Sequence, residues 1–256
     1  MNSSRLSRHL NSYLWLPLLG SAIGLAAFPT VAQNNPKAAG YYEDALVRFE
    51  KKDMPGAIIQ LKNALQIDPN MLPVQLLMGK ALLRNGEVAA AEVAFNEALR
   101  LGVNRAEVVV QLGQALLAQG KHKTVLEKNT FSVAGLPPGV QLQVHLLRAS
   151  ALADTGDPVA ALKSIDEARA IDKRSVDAWM AEVPIRIRAR QFKEAAIAAD
   201  EALALMPESA EAIYQKGSVA HVQGDLKGAL TAYDRALQID KAHVEARVAR
   251  IGIALD

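Results

Sequence analysis

Ala210–His243 reads AEAIYQKGSVAHVQGDLKGALTAYDRALQIDKAH, and its punctuation sets the reading of the whole chain. The stretch predicts two amphipathic helices joined by a tight turn. Gly217 and Ala229 are small residues on apolar faces, where two helices approach closely only if no bulky side chain stands between them. Gly224 suits the left-handed conformation that ends a helix, and Asp225 suits the cap of the next one. Tyr233, Ala236, Leu237 and Ile239 then carry an apolar stripe at helical spacing.

The same punctuation recurs upstream. Alanines equivalent to Ala229 stand at Ala195, Ala161, Ala91 and Ala57, with steps of 34 residues from Ala57 to Ala91, from Ala161 to Ala195 and from Ala195 to Ala229. A second small position repeats at Ala64, Ala98, Ala168, Ala202 and Ala236. Gly79, Ala91 and Phe95 complete the pattern in one repeat, and Ala57, Ala64 and Pro69 in another. Trp179, Ala195, Ala202 and Pro207 do so in a third, and Gly217, Ala229, Tyr233 and Ala236 in a fourth. From Ala38 onward this resembles the tetratricopeptide repeat, whose motif is W-x2-L-G-x2-Y, then A-x3-F, then a late proline. The resemblance implies an all-α fold, a right-handed α-solenoid of about six helix–turn–helix repeats.

Composition agrees with helices. Half of the 256 residues are hydrophobic, 5% are aromatic, and there is no cysteine. Ala, Leu, Glu, Lys, Gln and Arg dominate, and β-branched runs are short. Without cysteine there is no disulfide, thiol nucleophile, Cys-ligated zinc or cysteine-linked lipid. The net charge is +2, but Arg5 and Arg8 lie in the leader; without them 27 basic residues face 27 acidic ones. That balance argues against a nucleic-acid binder, which needs a basic face.

In chain order, residues 1–32 read as a signal peptide. Arg5, Arg8 and His9 precede an uncharged run from Leu14 to Phe28, and Thr30-Val31-Ala32 supplies the small residues of a cleavage site. The alternative is an uncleaved anchor, but that run is short of the ~20 residues a spanning helix needs. Either way the repeats are expected outside the cytoplasm, in the periplasm. Residues 33–37 read as a linker, and repeats follow at about 38–71, 72–105, 106–141, 142–175, 176–209 and 210–243, with a partial seventh over 244–256. The third repeat degrades: Val125, Asn129 and Ser132 replace its small and aromatic positions, and Gly135-Leu136-Pro137-Pro138-Gly139 follows. Pro184 lies inside a predicted first helix, where it removes a backbone bond and kinks it. In the partial repeat Val248, Ile251 and Leu255 form an apolar face that a capping helix normally covers. The expectation is a truncated longer protein, or a partner at that end.

No catalytic constellation stands out. His9, His122, His145, His221 and His243 are in no metal-ligand spacing, and the glycines are single rather than gathered in a phosphate loop. No cofactor and no metal are expected. Arg186, Arg188, Arg190 and Lys193 form the one local basic run; it reads as a solvated helix end or as a receiver for an acidic peptide or anionic polysaccharide. Arg186 is the anomaly, standing where the repeat pattern places an apolar residue.

Tetratricopeptide-repeat resemblance implies binding, with contacts from the first helix of each repeat. On this sequence the positions are Tyr42, Leu46 and Phe49; Leu76, Lys80 and Leu83; Val110, Gln114 and Leu117; Leu146 and Ser150; Met180 and Ile187; and Tyr214, Ser218 and His221. An apolar wall with aromatic anchors suits an amphipathic helix or extended peptide of a protein partner; alternatively these residues pack against neighbouring helices. Tyr42 and Leu46 occupy two positions of the family's Lys/Asn/Arg carboxylate clamp, so that clamp is not matched. Tyr41–Asn70 (YYEDALVRFEKKDMPGAIIQLKNALQIDPN), Ala106-Glu107-Val108-Val109 and Leu116-Leu117-Ala118-Gln119-Gly120-Lys121 further resemble the N-terminal part of the PrsT family of PEP-CTERM-system tetratricopeptide-repeat proteins. That resemblance implies a non-catalytic scaffold in exosortase-type sorting or exopolysaccharide export. Two other readings are a targeting arm of a larger envelope enzyme and a general adaptor for pilus, secretion or cytochrome assembly.

Overall fold

The computed structural model describes residues 35–255; the leader and its cleavage site lie outside them. Every regular element among the described residues is helical, and the contacts divide the chain into two compact units meeting at Leu136 and Pro137.

In the first unit α1 (Pro36–Glu50) pairs with α2 (Met54–Ile67), and α3 (Leu72–Arg84) with α4 (Val88–Arg100). Next come a 3-10 turn (Arg105–Glu107), α5 (Val109–Ala118), α6 (His122–Glu127) and a second 3-10 turn (Asn129–Phe131). Residues 36 and 37, expected to belong to a linker over 33–37, lie in α1. Helix α1 begins at Pro36, because proline suits the first helical position and Asn35 Oδ1 caps the helix by accepting the Lys37 N–H at 3.1 Å.

The second unit holds α7 (Pro138–Asp154) with α8 (Pro158–Ile171), α9 (Val176–Arg188) with α10 (Phe192–Leu205), α11 (Ala210–Val222) with α12 (Leu226–Ile239), and α13 (Val244–Leu255). Helix α7 starts a full turn before the expected repeat start at Leu142, because Pro138 opens it as α1 is opened by Pro36. Helix α9 continues through Pro184 to Arg188.

The small residues act as contact points. Ala57, Ala91, Ala161, Ala195 and Ala229 are fully buried. A Cβ on Gly217 would lie 2.7 Å from Tyr233 Cε1, and one on Gly79 would lie 2.5 Å from Phe95. Each glycine is thus the seat of the aromatic ring on the following helix. Between α11 and α12 the chain reverses at Gly224, whose φ is +85°, and Asp225 Oδ1 accepts the Gly228 N–H at 2.9 Å. Lys52 makes the equivalent turn after α1 without glycine, at φ +63°.

The degenerate third repeat is rebuilt rather than lost. Helix α6 has six residues, and Phe131 from the following 3-10 turn is buried where a longer helix would lie. The Arg105 guanidinium clamps this segment, donating to the carbonyls of Asn129 and Thr130 (both 3.3 Å), Ser132 (2.7 Å) and Ala134 (2.5 Å). These bonds satisfy acceptors that a helix would have satisfied internally. At the other end, Ile253 of α13 packs with Ala229 and Tyr233, while Val244, Val248 and Ile251 are half or more exposed.

Within each unit the first helices also touch one another: α1 with α3 and α3 with α5, then α7 with α9, α9 with α11 and α11 with α13. No comparable contact joins α2 to α4, or α8 to α10 to α12. Helices crowd on the inside of a curved stack, so the first-helix side is the inner face of each unit.

Candidate functional site

The inner face of the first unit is built by α1, α3 and α5. Tyr42, Leu46 and Phe49 are half-buried on α1, as are Lys80 and Leu83 on α3 and Val110 and Gln114 on α5. Leu76 (8% exposed) and Leu117 (2%) belong to the interior instead. They are the floor beneath the wall rather than part of its surface, because dense packing of neighbouring helices takes up their side chains. The Arg84 guanidinium lies 4.3 Å from the centroid of the Phe49 ring, a cation–π contact joining α3 to α1. Burial raises the Tyr42 phenol above its usual range. Burial also lowers the Lys80 ammonium: loss of water outweighs the opposing attraction of Glu107, and the Arg84 charge pushes the same way.

In the second unit Leu146 and Met180 are likewise buried, and Ser150 and Ile187 are half-buried on α7 and α9. Tyr214 and His221 are drawn into a seam with the next helix. The Tyr214 ring centroid is 5.7 Å from Tyr233 and 5.1 Å from His243, and the His221 ring meets Tyr233 edge-on at 6.4 Å. Burial pushes the Tyr233 phenol up to about 12, with Tyr214 adding to it and Ser218 opposing. The Ser218 hydroxyl donates to its own helix, at the Tyr214 carbonyl, 3.1 Å away. Three expected contact residues of α11 therefore have structural employment as well.

The basic run does not present free charge for an acidic ligand at its two α9 arginines, which corrects the receiver reading there. Arg186 Nε donates to Glu182 Oε1 (2.8 Å) and its Nη1 to Gln191 Oε1 (2.6 Å). Glu182 is 4% exposed and also accepts from Arg169, whose guanidinium stacks 4.2 Å over the Trp179 ring and binds Asp166 at 2.6 Å. Arg188 donates to the Ala153 carbonyl (2.7 Å) and to Asp154 (3.1 Å). The anomaly at Arg186 is thus the counter-ion of a buried carboxylate.

A second polar cluster escaped the sequence. His243, 7% exposed, sets Nε2 3.1 Å from Glu211 and Nδ1 3.2 Å from Glu245, and Nδ1 is also 3.3 Å from the Ala246 N–H at the start of α13. Hydrogen bonding to Glu211 comes first in raising its pKa, against burial, with the charges of Glu211, Glu245 and Asp240 adding to it. The recurrence of α11 and α13 one repeat apart was the available signal, since it places Glu211 and Glu245 at equivalent positions. Among the described residues no group of three His, Cys, Asp or Glu could hold a metal ion. No helix among them is long and apolar enough to cross a membrane.

Two family models, each described as tetratricopeptide repeat, match residues 37–119 and 180–243, together more than half the chain. No curated protein matches. Solved structures are similar in fold at low identity. A tetratricopeptide repeat protein from Parabacteroides merdae is 14% identical with a TM-score of 0.69, covering 86% of this chain and 87% of its own. PilW, titled a widely conserved type IV pilus biogenesis factor, is 16% identical with a TM-score of 0.64, covering 84% and 98%. Pseudomonas aeruginosa pilF is 15% identical with a TM-score of 0.56, covering 84% and 97%.

Proposed function

The chain belongs to the tetratricopeptide-repeat proteins, and from that premise we infer that it is a non-catalytic scaffold of the bacterial envelope. Its inner face holds peptide or helix segments of partner proteins. The observation that carries this is the first unit's wall: Tyr42, Leu46, Phe49, Leu83 and Val110, all half-buried, are gathered on one side of α1, α3 and α5. Half-buried aliphatic and aromatic side chains on a preformed wall gain from a second apolar surface without a cost of reordering the backbone.

The setting we propose is exopolysaccharide export or exosortase-type sorting. It rests on the PrsT-family resemblance of Tyr41–Asn70 and on the leader-like residues 1–32. A second reading is an adaptor for pilus assembly. It is favoured by PilW, whose chain is covered over 98% of its length at a TM-score of 0.64.

Photo-crosslinking in intact cells from position 42 or 83, followed by mass spectrometry of the adducts, separates these. Adducts to export or sorting components support the first setting, and adducts to pilus components the second. Adducts only to this chain, or none, overturn the scaffold reading of this wall.

A further inference from the structure

Resting on that scaffold reading, the position of one cation narrows what the first unit's wall takes. Lys80 stands at the centre of the wall. Along α3 its neighbours are Leu76 and Leu83; on α1, Leu46 holds the equivalent repeat position, and on α5, Gln114 does. Tyr42, Phe49 and Val110 complete the surround, and the charged residues acting on it are Arg84, one turn further along α3, and Glu107 before α5.

Lys80 makes no ion pair or hydrogen bond among the described residues. Its burial is costly to the charged form, which is why the ammonium titrates below its usual value. Glu107, exposed at the end of the 3-10 turn before α5, attracts Lys80 only partly against that cost. The remaining cation nearby, Arg84, is turned onto the Phe49 ring. An ammonium partly desolvated among apolar side chains, with no carboxylate bound to it, is unfavourable for the free protein, and a partner carboxylate placed there relieves it by a charge-assisted hydrogen bond in a site already short of water. Gln114 likewise makes no hydrogen bond among the described residues. Packed helices lie ~8–10 Å apart, so long side chains on α3 and α5 can converge on one carboxylate.

We propose that the inner wall of the first unit binds a protein segment carrying an aspartate or glutamate side chain between aliphatic or aromatic residues, with the carboxylate on Lys80 and Gln114 and the apolar neighbours on Leu46, Leu83 and Val110. The carboxylate is a side chain rather than a chain end, because the apolar wall continues past Lys80 in both directions and the bound segment runs through.

The test is selection of a displayed random 12-residue peptide library on the full chain. Selected sequences are then measured as synthetic C-terminally amidated peptides against the wild type, Lys80→Met and Leu83→Arg. The expected result is peptides with an Asp or Glu flanked by Leu, Ile, Val or Phe. Their affinity falls tenfold or more with Lys80→Met, and equally when the peptide acid is changed to its amide, with no further loss when both changes are combined. Lys80→Met is expected to fold normally, since methionine fills the same space without a charge to desolvate; circular dichroism and melting check this. Peptides that Leu83→Arg abolishes, but that lack an acid or ignore Lys80→Met, overturn the carboxylate inference and leave the scaffold reading standing. Binding that needs a free C-terminus also overturns it. Selection of no peptide sensitive to Leu83→Arg overturns the scaffold reading of this wall and the inference with it.

Discussion

Tyr233 lies against Gly217 so closely that the smallest side chain has no room: an added Cβ would be 2.7 and 2.8 Å from its ring carbons and 3.0 Å from Ala232. The ring is 1% exposed and cannot withdraw without opening the seam between α11 and α12. Gly217→Ala is therefore expected to destabilise the second unit by ~1–3 kcal/mol, and Ala229→Leu by a similar amount, as overpacking does in a filled core. Thermal melting checks both; an unchanged midpoint for either removes the close contact assigned to it. His243 gives a pH dependence of definite sign. Its folded-state pKa lies above the ordinary 6.5 because Glu211, with Glu245 and Asp240, favours the imidazolium. The stabilisation is thus fully present below that ordinary value and is lost as pH rises through the raised one. The wild type should exceed His243→Gln in melting temperature at pH 6 by more than it does at pH 9. A gap that is constant, or that widens with pH, contradicts the ion-pair geometry. Gly217 was readable from its place in the repeat. His243 was not, since only folding sets it between carboxylates from two helices.

Helix α6 illustrates what a damaged repeat does to an element. Val125 keeps the buried position of a repeat alanine, but Asn129 and Ser132 supply neither the ring nor the second small residue. The helix stops at Glu127, and the chain continues through a 3-10 turn that buries Phe131 instead. The sequence located this weakness; it did not reveal that Arg105 reaches across to four carbonyls of the replacement segment. That clamp is tertiary, because the arginine and its acceptors are more than twenty residues apart. Residues 129–139 should be the first cut in limited proteolysis of the wild type. Arg105→Ala should speed that cut about tenfold or more, since local opening controls cleavage when reclosing is fast. An initial cut elsewhere, or indifference to Arg105→Ala, refutes the clamp. The same element-level logic explains α9, where Arg186 replaces an apolar residue without exposing a binding site because Glu182 of the preceding turn is buried beside it.

For the molecule as a whole, the division at Leu136 and Pro137 has an energetic consequence. The second unit has its own series of buried clusters, from Leu142, Leu146, Ile165 and Ile185 at one end to Ala229, Tyr233 and Ile253 at the other. In a repeat array stability is close to a sum of units and nearest-neighbour interfaces. Residues 137–256 produced alone should therefore show helical circular dichroism and a cooperative thermal transition. A polypeptide with neither would mean that these clusters do not suffice.

Periodicity alone specified the helix pairs, their turns and the small residues at their contacts, because these depend on spacing along the chain and on side-chain size. It also named the first-helix residues from which the wall is drawn. Folding decided which of these are surface and which are floor: Leu46 and Leu83 remain half-exposed, while Leu117 is closed over. It likewise decided which charges are satisfied. Arg186 finds Glu182 and Arg105 finds carbonyls, whereas Lys80 finds no partner among the described residues. Pairing and burial depend on atoms brought together from separate turns and helices, and a one-dimensional pattern of residue types does not contain those distances.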